Sequence, residues 1–127
     1  MTKAELIKQT LEFLNMTGKT VGKLVDFYID YALNDENVKL SLLHLIEGYV
    51  VAYPHFPEII TGNLDGRNLK KEIMNSLEEV QIALHLSRED PEELRLKWQE
   101  FYNYQNYYSV VLSELIDNQR FIYLNMN

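Results

Sequence analysis

The chain has 127 residues, a formal net charge of −7, 46% hydrophobic and 24% charged residues, and no cysteine. That length fits one domain burying about two thirds of the surface its unfolded chain exposes, and the missing cysteines exclude disulfides, thiolate metal sites and cysteine nucleophiles. Dividing the chain after Asn63 leaves 5 basic and 8 acidic residues before it and 7 and 11 after it; such diffuse acidity argues against direct nucleic-acid binding, which relies on Lys and Arg to neutralise phosphates.

The opening stretch MTKAELIKQTLEFLNM carries Glu5, Lys8 and Glu12 among its apolar residues, unlike a secretory h-region. Thr2 is a candidate N-cap with Glu5 three residues on, and Leu6, Ile7, Leu11, Phe13 and Leu14 follow at near-helical spacing. A first helix is expected from about Thr2 to Asn15, with a break at Thr17-Gly18-Lys19 because glycine readily takes the left-handed geometry that closes a helix. Val21, Leu24, Val25, Tyr28, Ile29 and Ala32 then mark a second helix.

After the polar turn 34–37, a third helix carries Val38, Leu42, Leu45, Ile46, Tyr49 and Val50 on one stripe. Leu40, Leu43 and Val51 lie outside it, which predicts the most buried element of the fold. Pro54 and Pro57 end this helix. Residues 54–68 lack a period and contain Pro54, Pro57, Gly62 and Gly66, so they read as a loop packed by its own apolar side chains, with room for a helical turn around Glu58 to Ile60. Asn68 is placed to cap a fourth helix, whose stripe is Leu69, Ile73, Leu77, Val80 and Leu84. A Ser87 cap, the acids Glu89, Asp90, Glu92 and Glu93, and Pro91 announce a long fifth helix with no breaker before Asn118.

That last helix contains WQEFYNYQNYYSVV, residues 98–111. Advancing by about 100° per residue puts Leu94, Phe101, Tyr104, Tyr108, Val111, Leu112 and Leu115 on one core face, with Trp98 at its margin. Leu96, Tyr107, Val110 and Phe121 fall on the opposite side and Tyr102 at the edge. Neighbouring helices on both sides would account for this second line; so would a partner protein, since tyrosine offers wide contact area with few rotors. Base stacking needs a basic track, and the nearby Arg95 and Lys97 follow four acids.

Catalytic patterns are missing. The order His44-Leu45-Ile46-Glu47 reverses the Glu-x-x-His of carboxylate-bridged di-iron bundles and has no partner motif. His55 and His85 stand apart, so all three histidines read as structural or surface groups. The adjacent pairs Glu78-Glu79 and Glu92-Glu93 invite comparison with magnesium-binding helical pyrophosphatases, but side chains adjacent on a helix diverge by about 100°. Residues 62–68 lack the acidic ligands of a calcium loop.

These readings predict an all-α fold: an antiparallel bundle of about five helices, with a long final helix and one longer loop at 54–68, in a single domain over residues 1–127. The expected function is a small acidic non-enzymatic protein-binding module in the cytoplasm. It needs no catalytic residue, metal or cofactor, and has no membrane contact. Its partner is another protein or a second copy in a homodimer. Contact residues are Leu96, Tyr102, Tyr107, Val110 and Phe121, with His55, Phe56 and Arg67 from the loop. Eleven asparagines, nine tyrosines and eight lysines suggest AT-rich coding DNA and an inhibitor or regulator from a phage or mobile element of a low-GC bacterium. Two alternatives stand beside it. One is an acidic nucleic-acid mimic blocking a nuclease or CRISPR effector through Glu89, Asp90, Glu92 and Glu93. The other is a magnesium-dependent nucleotide hydrolase using Glu47, Glu78, Glu79 and Glu93.

Overall fold

The computed structural model describes residues 2–59, 66–118 and the strand residues 124–125. Among these, four helices carry the fold: α1 Lys3–Tyr31, α2 Glu36–Ala52, α3 Leu69–His85 and α4 Pro91–Asn118. A single 3₁₀ turn, Tyr53–His55, follows α2, and two short strands, β1 Glu58–Ile59 and β2 Leu124–Asn125, pair antiparallel. Long α4 packs along both α1 and α3, and α2 lies against α1 and α3. The all-α class holds, but the described residues form four helices where the sequence predicts about five.

The difference lies at Gly18. Thr2 Oγ1 accepts the Glu5 backbone N–H at 3.1 Å and the Glu5 carboxylate accepts the Thr2 N–H at 3.4 Å, so α1 begins with the expected capping box. It then runs for 29 residues straight through the predicted break. Gly18 and Gly22, one turn apart, leave the backbone of α1 bare where the side chains of α4 arrive. A Cβ on Gly18 would stand 2.7 Å from Gln105 Nε2 and 3.3 Å from the Tyr102 ring, and one on Gly22 would stand 3.5 Å from Trp98 Nε1. These glycines permit close helix approach; neither ends a helix.

The direction of α4 along α1 follows from its contacts. Arg95 reaches Asp26 at 3.0 Å and Asp30 at 2.7 Å, while Gln105, farther along α4, donates to the Leu14 carbonyl at 3.2 Å. Rising numbers on α4 meet falling numbers on α1, so the pair is antiparallel.

Asp35 caps α2 by accepting the N–H groups of Asn37 at 2.9 Å and Val38 at 3.3 Å. The expectation that this helix is the most buried is overturned: Leu42, Ile46 and Tyr49 are buried, whereas Leu40, Val50 and Val51 are exposed. The central place goes to α4, which leaves the outer side of α2 uncovered. A wide apolar circumference thus misstates how many neighbours a helix finds.

The segment after α2 is held from two sides. Lys70 on α3 donates to the carbonyls of Pro54 and Phe56, each at 3.2 Å, and Tyr108 on α4 donates to the Pro57 carbonyl. No helical turn forms at Glu58 and Ile59, which are extended and pair in register with Asn125 and Leu124. Ile60 and residues 61–65, including most of the calcium-like stretch, lie outside the described residues.

Asn68 caps α3 as predicted, accepting the Lys71 N–H at 3.1 Å. Ser87 does not cap α4. It is buried, its hydroxyl donating to the Leu84 carbonyl at 2.7 Å and pairing with the Tyr28 hydroxyl at 2.9 Å. Asp90 takes the capping role, accepting the Glu93 N–H at 3.2 Å, with Pro91 in the first helical position, where no N–H is needed. Among the described residues no helix is long and apolar enough to cross a membrane.

Candidate helix-docking face

The core side of α4 consists of Leu94, Trp98, Phe101, Gln105, Tyr108, Leu112 and Leu115, all buried. Phe101 packs edge-on against Tyr49 with ring centres 5.1 Å apart, and Trp98 lies 5.4 Å from Phe101. Gln105 is the residue that sequence patterning misses. Its Nε2 donates to the Leu14 carbonyl in the space left by the missing Gly18 side chain, while its Oε1 is buried with no hydrogen-bond partner among the described residues. Tyr104, predicted on the core face, is displaced outward and is 40% exposed.

The outer side of α4 presents Leu96 at 51%, Tyr107 at 46% and Val110 at 54% exposure. Positions 96, 100, 103, 107 and 110 alternate steps of four and three, so they form a nearly straight line on a helix. This line borders a groove of about 570 Å³ along the α3–α4 seam, lined by Arg67, Glu79, Glu100, Asn103, Tyr104 and Tyr107. Three of the predicted contact residues, Leu96, Tyr107 and Val110, therefore share this line, and a fourth, Arg67, lines the groove together with Tyr107.

The remaining predicted contacts lie elsewhere. Tyr102 is half-buried, its ring 6.0 Å from that of Trp98. Phe56 is also half-buried, packed edge-on against Phe13 at 5.5 Å and Tyr53 at 5.1 Å. His55 is exposed in the 3₁₀ turn, and Phe121 lies outside the described residues. Tyr104, Glu79 and Glu100 join the face without having been predicted. Their spacing on α4 could have indicated Tyr104 and Glu100; Glu79 depends on how α3 packs.

Electrostatically the seam is acidic. Arg67 forms a two-point ion pair with Glu72, at 3.0 and 2.9 Å. Lys97 Nζ lies 3.4 Å from Glu100, 3.8 Å from Glu79 and 3.9 Å from Glu93. Its hydrogen bond to Glu100, aided by the charges of Glu79 and Glu93, raises its pKa above the ordinary lysine value. Among these described residues, four carboxylates (Glu72, Glu79, Glu93 and Glu100) against two cations (Arg67 and Lys97) leave two negative charges in excess.

Among the described residues no three histidines, aspartates or glutamates stand together as a group able to hold a metal ion. Glu79 and Glu93 meet around Lys97, while Glu47 and Glu78 are exposed on α2 and α3. In the acidic turn before α4, Asp90 is engaged as a cap and Glu92 lies 3.5 Å from Arg95. Burial pushes the phenols of Tyr49, Tyr53 and Tyr108 well above the ordinary tyrosine range, unlike a group tuned for proton transfer near neutral pH. Comparison of the chain with protein-family models, with curated proteins and with solved structures finds no match.

Proposed function

We propose that this protein is a small acidic, non-enzymatic protein-binding module that acts by occupying a surface of its partner, as an inhibitor or regulator encoded by a phage or other mobile element of a low-GC bacterium. The observation that carries the binding role is the alignment of half-exposed Leu96, Tyr107 and Val110 on one side of α4, beside a groove containing Tyr104. Single exposed apolar residues are ordinary on protein surfaces; a line of them bordering an aromatic groove is the form taken by an anchor for another chain. The mobile-element origin rests on the bias toward asparagine, tyrosine, isoleucine and lysine.

The test pairs Tyr107→Ala with Val110→Asp. Mass by light scattering and capture of partners from a low-GC bacterial lysate are compared for the wild type and the double variant, with helical circular dichroism confirming the fold. Loss of self-association or of a captured partner is the expected result. If both properties persist in the folded variant, the α4 face is not the binding surface.

A further inference from the structure

Resting on the reading of the α4 face as a docking surface, we infer that its occupant is a basic amphipathic helix of a partner protein. The shape of the face argues for a helix. Leu96 to Val110 is a rise of about 21 Å along α4, nearly four turns. A straight line with alternating three- and four-residue steps is the track that a second helix follows when its ridges pack into the grooves of the first.

Charge argues for a basic partner and against a second copy of this chain. Glu100 stands within the line, between Leu96 and Tyr107, and Glu79 faces it across the groove. Among the described residues the cation lining the groove and the one beside it are engaged: Arg67 with Glu72, and Lys97 among Glu79, Glu93 and Glu100. Two copies pressed together through this line would bring two acidic seams into one interface, where like charges oppose association. A helix with apolar residues against Leu96, Tyr107 and Val110 and with Lys or Arg on its flanks covers the apolar line and places cations beside Glu79 and Glu100. Tyr104 and Tyr107 can also receive a cation over their rings.

The test uses three fluorophore-labelled synthetic helices of about 18 residues: a leucine–lysine amphipathic peptide, its glutamate-for-lysine counterpart, and a basic peptide of the same composition with its apolar residues scrambled. Anisotropy titrations with the full chain are expected to show binding of the first peptide alone, weakening several-fold between about 50 and about 300 mM salt. Glu79→Gln with Glu100→Gln should weaken it by a comparable factor. Glu12→Gln with Glu47→Gln, on exposed positions of α1 and α2, should leave it within about twofold, since charges on other faces are screened. Equal binding of the acidic or scrambled peptide overturns the inference, as does an equal loss from the Glu12 and Glu47 changes. A homodimer unaffected by Glu79→Gln with Glu100→Gln but broken by Tyr107→Ala with Val110→Asp also overturns it while leaving the docking face intact. If neither double variant changes peptide binding, mass or capture, both readings fall together.

Discussion

Tyr49, Tyr53 and Tyr108 bury similar rings yet differ in what their hydroxyls reach. Tyr108 donates to the Pro57 carbonyl, whereas the hydroxyls of Tyr49 and Tyr53 have no hydrogen-bond partner among the described residues. The Gln105 amide lies near enough to Tyr49 to ease its ionisation slightly, but the geometry is not that of a hydrogen bond. An unsatisfied buried hydroxyl costs desolvation without return, while removing a satisfied one strands its acceptor. Tyr49→Phe and Tyr53→Phe are therefore expected to be neutral or to stabilise by up to about 1 kcal/mol, and Tyr108→Phe to destabilise by about 1 kcal/mol. Urea unfolding measures all three; a loss above about 1 kcal/mol for Tyr49→Phe would show that its hydroxyl is bonded. Sequence periodicity finds the buried side of α4, but it cannot show which phenol meets a carbonyl, because that carbonyl belongs to a loop 51 residues away.

At the scale of the element, glycine is where sequence reading and structure part. In the sequence Gly18 reads as a helix end because its backbone freedom suits a C-cap, yet its missing side chain makes room for Gln105 and Tyr102. Gly48, also inside a helix, has nothing beyond its own stretch of helix backbone within 4 Å of where a Cβ would stand. The two positions therefore predict opposite responses to alanine. Gly48→Ala should stabilise by about 0.5–1 kcal/mol through helix propensity. Gly18→Ala gains the same propensity but pushes on the Gln105 amide, whose displacement breaks its bond to Leu14, and overpacking of this kind costs about 1–3 kcal/mol. Thermal unfolding of both variants tests this. If Gly18→Ala stabilises as much as Gly48→Ala, the close approach of α1 and α4 is wrong. Caps set by local chemistry, at Thr2 and Asn68, are legible because donor and acceptor are a few residues apart; the Asp35 cap of α2 lies in a stretch that reads only as a polar turn. Ser87 leaves the capping position that its sequence context predicts because its hydroxyl is drawn to Tyr28, 59 residues away in sequence.

For the whole molecule, buried phenols and paired cations set the response to base. The pKa values of Tyr49, Tyr53 and Tyr108 are raised by burial, and that of Lys97 foremost by its hydrogen bond to Glu100. A pKa higher in the folded state means stability that is complete below the unfolded value, about 10 for tyrosine, and is lost as pH rises toward the folded value. Each of the three phenols then removes about 1.4 kcal/mol per pH unit. Stability is expected to fall from about pH 10 and unfolding to follow between about pH 11 and about pH 12, where the three phenols together have removed several kcal/mol, with tyrosinate absorbance from these residues appearing together with loss of helical circular dichroism. Ionisation of all three near pH 10 in a protein that keeps its helices would contradict the packing described here. The all-α class was legible from periodicity and caps. The central place of α4 was not, because it depends on which helices find neighbours.

The docking account stands or falls on where on the surface binding is lost. The most direct measurement is the affinity of the captured partner for single aspartate substitutions at Leu96, Tyr107 and Val110, compared with Met16, Val51 and Ile82, which are exposed apolar residues on α1, α2 and α3. The account predicts at least about tenfold weaker binding, roughly 1.4 kcal/mol, at each of the three α4 positions, and changes within about twofold at the other three. Loss concentrated at Met16, Val51 or Ile82, with the α4 positions silent, would place the binding surface elsewhere.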